Sequence, residues 1–245
     1  MSKRGNHPVN IPDVLIPYKL GDLNDHPDYP AAKAGDFEAA LRIAQQMITD
    51  SVANDLIQRF GIQALLLPVL AQEAQGRNKI PLALAIQLEA LTGLGIELGI
   101  GQRTKVSRTT MSGLDRVFIV PEFEGVVLAE QSYILIDDTL TQGGTFASLA
   151  SHLQQSQGVV SGAFALTGKQ YSARLNLDFV MLQLLRDKYG DLETLFTTIT
   201  GYDYAALTQS EARTLVSFRP PEFVRVRIIN ERDATSSFTN AYEAE

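Results

Sequence analysis

The stretch that decides the fold is YILIDDTLTQGGT, which runs from Tyr133 to Thr145. Its first part, Tyr133 to Ile136, has the β-branched and aromatic character of a buried strand. Two carboxylates, Asp137 and Asp138, follow at once. A turn of small and hydroxyl residues then leads into Phe146 to Gln155, where apolar residues recur at helical spacing. The order of strand, acidic pair, glycine turn and helix indicates an α/β fold.

The turn after the acidic pair suits a phosphate. A helix N-terminus behind a glycine-rich turn presents backbone N–H groups and the positive end of the helix dipole. Open α/β sheets bind ligands at this carboxyl edge of their strands. Gly143 and Gly144 let the backbone approach an anion closely, and Thr141 and Thr145 can add hydroxyl donors. The acidic pair would repel a phosphate, so we expect it to bind another part of the ligand, such as ribose hydroxyls, with magnesium nearby.

The stretch resembles the phosphoribosyl-pyrophosphate (PRPP) motif of type I phosphoribosyltransferases, an apolar strand followed by two acids and a Thr/Gly-rich loop. The resemblance implies an α/β core with a mostly parallel central sheet flanked by helices. It also implies transfer of a 5-phosphoribosyl group from PRPP to a nitrogen acceptor, a nucleobase or related compound, with release of pyrophosphate. The cofactor implied is Mg²⁺, held mainly through PRPP with no direct side-chain ligand. The PRPP-binding residues implied are Asp137, Asp138, Thr139, Thr141, Gly143, Gly144 and Thr145.

A basic segment lies upstream of this motif. Residues Gly101 to Arg116 read GQRTKVSRTTMSGLDR and show little hydrophobic pattern, which predicts a mobile loop. Type I phosphoribosyltransferases carry a flexible catalytic loop at this place, and the run also resembles the competence-protein ComF-like branch. The resemblance implies that Arg103 and Lys105 are catalytic together with the two acids, and that Arg108 contacts pyrophosphate. These cations would close over the leaving group and exclude water.

Two further segments supply candidate ligand contacts. Ile62 to Leu70 reads as a buried parallel strand. In the family, the loop after the first core strand contacts pyrophosphate, and Arg77 and Lys79 are the candidates here. Gly158 to Leu166 reads as another core strand, and Lys169 follows it, near the place where the 6-oxopurine enzymes put a lysine against the base. The alternative for each of these cations is an ordinary solvated position.

One departure from the family pattern narrows the range of possible acceptors. In the 6-oxopurine enzymes a further Asp, three residues after the acidic pair, faces the purine, and here that position is Thr141. Threonine cannot act as a general base near pH 7. The departure therefore disfavours hypoxanthine and guanine, and the sequence looks more like the orotate or ComF-like patterns.

The composition of the chain limits which chemistry, partners and cellular location can be expected. The chain of 245 residues has no Cys, which excludes disulfides, thiolate metal sites and a cysteine nucleophile. A formal charge of -7 argues against broad nucleic-acid binding. The N-terminus lacks the apolar core of a signal peptide, and Ile80 to Ile100 is a weak membrane span because it carries Glu89 and Glu97. We therefore expect a cytoplasmic protein that binds PRPP and a small-molecule acceptor, with no nucleic-acid or membrane partner.

The chain is predicted to divide into three parts. Residues 1–60 form an arm and a helix, residues 61–170 the phosphoribosyltransferase core, and residues 171–245 a C-terminal helical extension. The arm is rich in Pro, Gly, Asn and Asp and is expected to be an irregular cover. Asp36 is expected to cap one long helix that ends at Phe60. The terminal helices could form the hood over the acceptor or an oligomer interface, such as that of a homodimer.

A second hypothesis comes from another class, a PRPP-binding regulator or sensor without transferase activity. The net charge and the lack of a helix-turn-helix pattern or a basic face count against a regulator that binds nucleic acid. The basic loop, which a pure phosphate sensor would not need, favours the enzyme.

Overall fold

The computed structural model describes residues 4–5, 10–70, 72–73, 76–103 and 112–230. Its strands are β1 (Tyr18–Lys19), β2 (Leu65–Pro68), β3 (Gln72–Glu73), β4 (Gly76–Arg77), β5 (Gly101–Gln102), β6 (Phe123–Glu124), β7 (Ser132–Leu140) and β8 (Val159–Gly168). Its α-helices are α1 (Tyr29–Lys33), α2 (Phe37–Met47), α3 (Asp50–Phe60), α4 (Ile80–Thr92), α5 (Asp115–Phe118), α6 (Gly144–Gln155), α7 (Phe179–Tyr189), α8 (Glu193–Thr200) and α9 (Gln209–Ser217). Residues 222–230 are also helical.

The central sheet has the strand order β1-β8-β7-β2 within the described residues, and every adjacent pair in it is parallel. The long strands β7 and β8 occupy its centre, so their middle residues are covered on both faces. The pairs β3–β4 and β5–β6 are short and antiparallel. The predicted α/β fold with a mostly parallel sheet flanked by helices is confirmed.

The two faces of β7 pack into different cores, because successive strand side chains point to opposite faces. Ile134 and Ile136 belong to the cluster built from α2, α3 and α4. Tyr133 and Leu135 belong to the cluster built from α6. This alternation sets the direction of the polar residues that follow on the same strand.

The C-terminal segment has its own apolar core. It is built from α7, α8 and α9, and it takes in Val117 and Phe118 of α5. Phe196 makes edge contacts with the rings of Phe118 and Tyr202. Helix α9 begins with a complete capping box, in which the Thr208 side chain accepts from the Glu211 backbone and the Glu211 carboxylate accepts from the Thr208 N–H. None of the described helices is long and apolar enough to span a membrane.

The single helix predicted from Asp36 to Phe60 is wrong. Asp36 does cap a helix, accepting from the Ala39 N–H at 3.0 Å. That helix ends at Met47, and a second helix starts at Asp50. The Thr49 hydroxyl accepts from the Val52 N–H at 3.4 Å, so the side chain starts a new helix instead of continuing the old one.

The prediction that the arm is only an irregular cover is also wrong. Val14 and Ile16 are buried, and β1 pairs with β8 at the edge of the sheet. Leu15 exchanges backbone hydrogen bonds with Ala163 and Ala165. The prolines of the arm hid this strand in the sequence, because proline argues against a central strand. Proline is accepted at a sheet edge, which is where β1 lies.

Candidate functional site

A pocket of about 280 Å³ lies where β7 ends. It contains all the motif residues predicted to bind PRPP, together with residues from the arm, from the segment before α4, from α5 and from β8. The pocket-lining residues are Leu20, Gly21, Asn24, Tyr29, Lys33, Val69, Asn78, Gln102, Arg116, Asp137, Asp138, Thr139, Leu140, Thr141, Gln142, Gly143, Gly144, Thr145, Phe146 and Thr167.

Asp138 is the most enclosed carboxylate of the pocket, with 4% of its surface exposed. The Lys33 ammonium lies 2.7 Å from its Oδ2 atom, and the Asn78 amide donates to the same oxygen at 2.8 Å. Burial alone would raise the pKa of Asp138. The charge and hydrogen bond of Lys33 and the amide of Asn78 outweigh burial and hold this pKa below its usual value.

Both partners of Asp138 are placed by nearby helix ends. Lys33 is the last residue of α1. The Asn78 Oδ1 atom accepts from the Ile80 N–H at the start of α4, which fixes the amide orientation. The Lys79 N–H also lies 3.5 Å from the Ala32 carbonyl, where α1 and α4 meet. Asp138 is therefore the point at which the arm, α4 and the central strand join.

Asp137 lies on the other side of β7 and is only partly buried. Its Oδ1 atom accepts from the Asp138 backbone N–H at 2.8 Å. Burial and the neighbouring charge of Asp138 raise the pKa of Asp137 well above its usual value, and the hydrogen bond from the Asp138 N–H and the charge of Lys33 offset this only in part. The two adjacent acids therefore differ in their proton affinity.

The glycine turn has the geometry of an anion site. Gly143 has a φ of +80°, in the left-handed region, and α6 starts at the next residue. The first N–H groups of a helix have no intrahelical partner. Arg116 donates to the Thr141 hydroxyl at 2.9 Å, which places a guanidinium at this end of the pocket.

Gln142 of the turn is hydrogen-bonded to the C-terminal segment. The Thr208 hydroxyl donates to the Gln142 carbonyl at 2.6 Å. The Gln142 amide in turn donates to the Thr214 hydroxyl and to the Gly113 carbonyl, each at 2.9 Å. Thr208, which caps α9, and Thr214 within α9 thus bond the turn to the C-terminal segment.

A buried ion pair completes this support. Arg4 donates to the Gly144 carbonyl at 2.9 Å and to Glu211 at 2.7 Å. It also donates to the Ala206 carbonyl and lies over the Tyr202 ring. Burial would lower the pKa of Arg4, but the carboxylate of Glu211 outweighs it, so the guanidinium is charged.

The other cations predicted to contact the ligand do not line the pocket, where the structure describes them. Arg103 is exposed, and its Nε atom lies 3.9 Å from Glu124. Lys105, Arg108 and the side chain of Arg77 lie outside the described part of the chain. Lys79 precedes α4 and Lys169 lies over the exposed Tyr171 ring; neither belongs to the described lining of the pocket. Their ligand roles stay predictions.

Sequence reasoning missed three polar residues of the site and its support. Lys33 lies in the arm, which was predicted to be an irregular cover. Asn78 lies between Arg77 and Lys79, the two cations that were chosen as candidates in that loop. Arg4 lies near the N-terminus, far from the motif in sequence. None of them belongs to a motif. Arg116 was noted as a loop cation, but its contact with Thr141 was not foreseen.

The pocket offers few direct ligands for a metal. Among the described residues, no group of three or more His, Asp or Glu side chains could hold a metal ion. Of the two carboxylates, Asp138 is already bonded to Lys33. This donor set suits Mg²⁺ held by oxygens of a phosphorylated ligand, and the cofactor stays a proposal.

The chain is similar to two curated proteins that are longer than itself. It is 38% identical to Protein TraN of Escherichia coli over 226 residues, which are 91% of this chain and 50% of that protein. It is 43% identical to an uncharacterized protein of Haemophilus influenzae over 145 residues, 59% of this chain and 32% of that protein. The chain thus spans half or less of the length of these relatives. No protein-family model matches it.

Solved structures that are similar to this chain include phosphoribosyltransferases. An adenine phosphoribosyltransferase gives a TM-score of 0.35 at 12% identity, covering 56% of this chain and 72% of that one. A hypoxanthine phosphoribosyltransferase from Staphylococcus aureus gives 0.34 at 16% identity, covering 56% and 70%. The proposed function rests on the geometry of the pocket.

The raised pKa of Asp137 gives a prediction about stability. A carboxyl whose pKa is higher in the folded state favours folding below its unfolded pKa, and this contribution is lost as pH rises through the folded value. Asp137→Asn should therefore make the unliganded protein more stable than wild type at pH 7. A gain of 1 kcal/mol corresponds to about 2–4 °C in Tm for a chain of this size.

Thermal melts of both proteins from pH 3 to pH 8 would check this. The difference in Tm should shrink as pH falls below about 4, near the usual pKa of an Asp side chain. An Asp137→Asn protein that melts below wild type at neutral pH would contradict the prediction.

Proposed function

We propose that the protein transfers a 5-phosphoribosyl group from PRPP to a nitrogen acceptor and releases pyrophosphate. The observation that carries the proposal is the pocket at the end of β7, where an acidic pair adjoins a glycine turn and a helix N-terminus. Carboxylates accept hydrogen bonds from ribose hydroxyls, and N–H groups at a helix start bind phosphate. The parts of this pocket therefore match the two ends of a ribose 5-phosphate unit.

The reaction replaces one bond at the anomeric carbon by another. The bond from this carbon to the pyrophosphate oxygen breaks with its electron pair, and the acceptor nitrogen supplies the pair for the new bond. Positive charge develops on the ribose ring, so correct positioning and stabilisation of the leaving anion lower the barrier. Mg²⁺, when bound through PRPP, would neutralise part of the pyrophosphate charge.

The residues of this chain have separable tasks in that scheme. The glycine turn would bind the 5′-phosphate, with Arg116 and Thr141 beside it. The acidic pair would orient the ribose. Arg103 and Lys105 would approach the departing pyrophosphate from the upstream loop. The acceptor is a nucleobase or related compound.

Pyrophosphate release from PRPP across a panel of nitrogen acceptors tests the proposal. We expect activity with at least one acceptor, and weak or absent activity with hypoxanthine and guanine, because Thr141 cannot supply a general base. Efficient turnover of either, with kcat/KM of about 10⁴ M⁻¹s⁻¹ or above, would show that Thr141 does not exclude 6-oxopurines.

The same assay separates the enzyme from a PRPP-binding regulator without transferase activity. The observation that favours the regulator is the salt bridge that already holds Asp138, since it lowers the number of acids available to a substrate. PRPP binding in calorimetry without pyrophosphate release from any acceptor would favour the regulator. Absence of both would reject both functions.

The upstream cations are expected to act mainly in the transition state. Replacing both Arg103 and Lys105 by alanine should lower kcat by more than it raises the KM for PRPP, because charge on pyrophosphate builds up as the bond breaks. Steady-state kinetics at saturating acceptor would measure the split. The exposed Arg42→Ala protein is the control, and a double variant with wild-type kcat would refute this role.

A further inference from the structure

We propose that Thr208, the residue that caps α9, is a positioning residue for the anion site. Its hydroxyl holds the peptide between Gln142 and Gly143 so that the Gly143 N–H is presented to the phosphate of the ligand. Thr208 acts on the ligand only through the turn, and the C-terminal segment thereby sets the affinity of the pocket for phosphate. The inference rests on the proposed function, because it concerns the phosphate end of the same pocket.

The first observation is the contact between Thr208 and the turn. The Thr208 hydroxyl donates to the Gln142 carbonyl at 2.6 Å, at the short end of the range for O–H···O hydrogen bonds. Thr208 has 0% of its surface exposed, so water cannot replace this donor. Without the hydroxyl, the Gln142 carbonyl would be a buried acceptor that has lost a partner, and the turn would gain by moving it toward another donor.

The second observation is the direction of the same peptide unit. The peptide bond between Gln142 and Gly143 is trans, so its C=O and N–H groups point in opposite directions. The C=O points to Thr208, which does not belong to the described lining of the pocket. Gly143 does line the pocket. The N–H of Gly143 is therefore directed away from Thr208 and toward the space that a ligand would occupy.

The third observation is that Thr208 itself is held in one orientation. Its hydroxyl oxygen accepts from the Glu211 N–H at 3.1 Å, and its own N–H donates to the Glu211 carboxylate at 2.9 Å. Arg4 holds that carboxylate at 2.7 Å. Since the hydroxyl oxygen accepts from the backbone of α9, its proton is left for the Gln142 carbonyl. A donor fixed in this way loses little conformational freedom when a ligand binds.

The turn needs such a restraint because glycine is pliable. Gly143 has a φ of +80°, and glycine adopts positive and negative φ with similar ease, so the residue alone does not keep its N–H in place. A hydrogen bond to the carbonyl oxygen also polarises the peptide, and hydrogen bonds in a chain strengthen one another. The Thr208 hydroxyl therefore fixes the direction of the Gly143 N–H and makes it a stronger donor to an anion.

Three variants test the proposal, and one of them is a matched control. Thr208→Val removes the hydroxyl at nearly constant shape, and Thr208→Ser keeps it. Thr200→Val is the control, because Thr200 is a threonine of the same C-terminal segment with 1% of its surface exposed. Its hydroxyl lies 2.8 Å from the Phe196 carbonyl and 2.9 Å from the Tyr202 carbonyl, neither of which belongs to the turn. Each protein is measured by Tm, by calorimetric Kd for ribose 5-phosphate and by the ¹H–¹⁵N signal of the Gly143 amide.

The expected results separate stability from ligand binding. Both valine variants should lower Tm, since each takes a hydroxyl donor from a buried carbonyl. Only Thr208→Val should also raise the Kd for ribose 5-phosphate, by about fivefold to tenfold, the scale of one misdirected hydrogen bond to an anion. Thr208→Ser should keep Kd within about twofold of wild type, because serine has the same donor. In wild type, saturation with ribose 5-phosphate should move the Gly143 amide signal downfield, as its N–H donates to the phosphate.

Two results would overturn the role of Thr208 and leave the proposed function intact. One is a folded Thr208→Val protein that binds ribose 5-phosphate within about twofold of wild type. The other is a Thr200→Val protein that loses as much affinity as Thr208→Val, since the loss would then follow stability. If Thr208→Val does not fold, the wild type decides: a Gly143 amide signal that ribose 5-phosphate leaves unmoved would equally overturn the role. A wild type that binds neither ribose 5-phosphate nor PRPP would reject the proposed function itself, and the anion site with it.

Discussion

Arg4→Met is expected to lower the free energy of unfolding by about 3–5 kcal/mol, the usual cost of removing one partner of a buried ion pair. Arg4 is 2% exposed and Glu211 is 1% exposed, so water cannot replace the lost guanidinium. The substitution also frees the Gly144 carbonyl at the start of α6. We therefore expect weaker binding of ribose 5-phosphate in addition to the loss of stability.

Urea denaturation would measure the loss, and a fall in Tm of about 10 °C should accompany it. Arg186→Met is the matched control, because Arg186 makes two hydrogen bonds to Glu193 at the surface. That exposed pair should be worth about 1 kcal/mol or less. An Arg4→Met protein no less stable than Arg186→Met would show that the buried pair does not support the fold.

Gly143→Ala should have the second large effect, on anion binding. Gly143 has a φ of +80°, and an added Cβ would lie 2.2 Å from the Leu175 Cδ2 atom. The left-handed conformation costs a non-glycine residue about 1–2 kcal/mol, and the overlap must move either the turn or Leu175. We expect the Kd for ribose 5-phosphate to rise about tenfold or more, since one misplaced N–H···phosphate bond is worth about 1.5–3 kcal/mol.

Gly93→Ala separates backbone strain from the effect on the site. Gly93 ends α4 with a φ of +75°, and no heavy atom lies within 4 Å of its added Cβ. The control should lose stability through the same backbone cost but bind ribose 5-phosphate normally. Calorimetry that finds equal affinities for Gly143→Ala and wild type would remove the turn from the binding site.

The central part of the site was predictable because its residues are consecutive in the sequence. Strand β7, the acids and the glycine turn follow one another directly, so periodicity and residue type were enough. The strand was nevertheless predicted to end at Ile136, and it continues to Leu140. Pairing of Thr139 with Thr167 and of Leu140 with Gly168 extends it, and β8 cannot be aligned from sequence alone.

The surroundings of the site were not predictable, because they depend on contacts between distant residues. Asn78 is 60 positions from Asp138, and Arg4 is 207 positions from Glu211. No local spacing links such pairs. The break at Thr49 was missed for a different reason, since the apolar stripe continued through it while a side-chain cap restarted the helix.

The Arg4–Glu211 contact also has a consequence for synthesis on the ribosome. The chain emerges N-terminus first, and the partner of Arg4 appears 207 residues later. Until then the guanidinium of Arg4 has no carboxylate partner, and its bond to the Gly144 carbonyl is not backed by the ion pair. Contacts of such long range form slowly. The nascent chain can thus build much of the parallel sheet early, but the pocket should mature only after translation has passed α9.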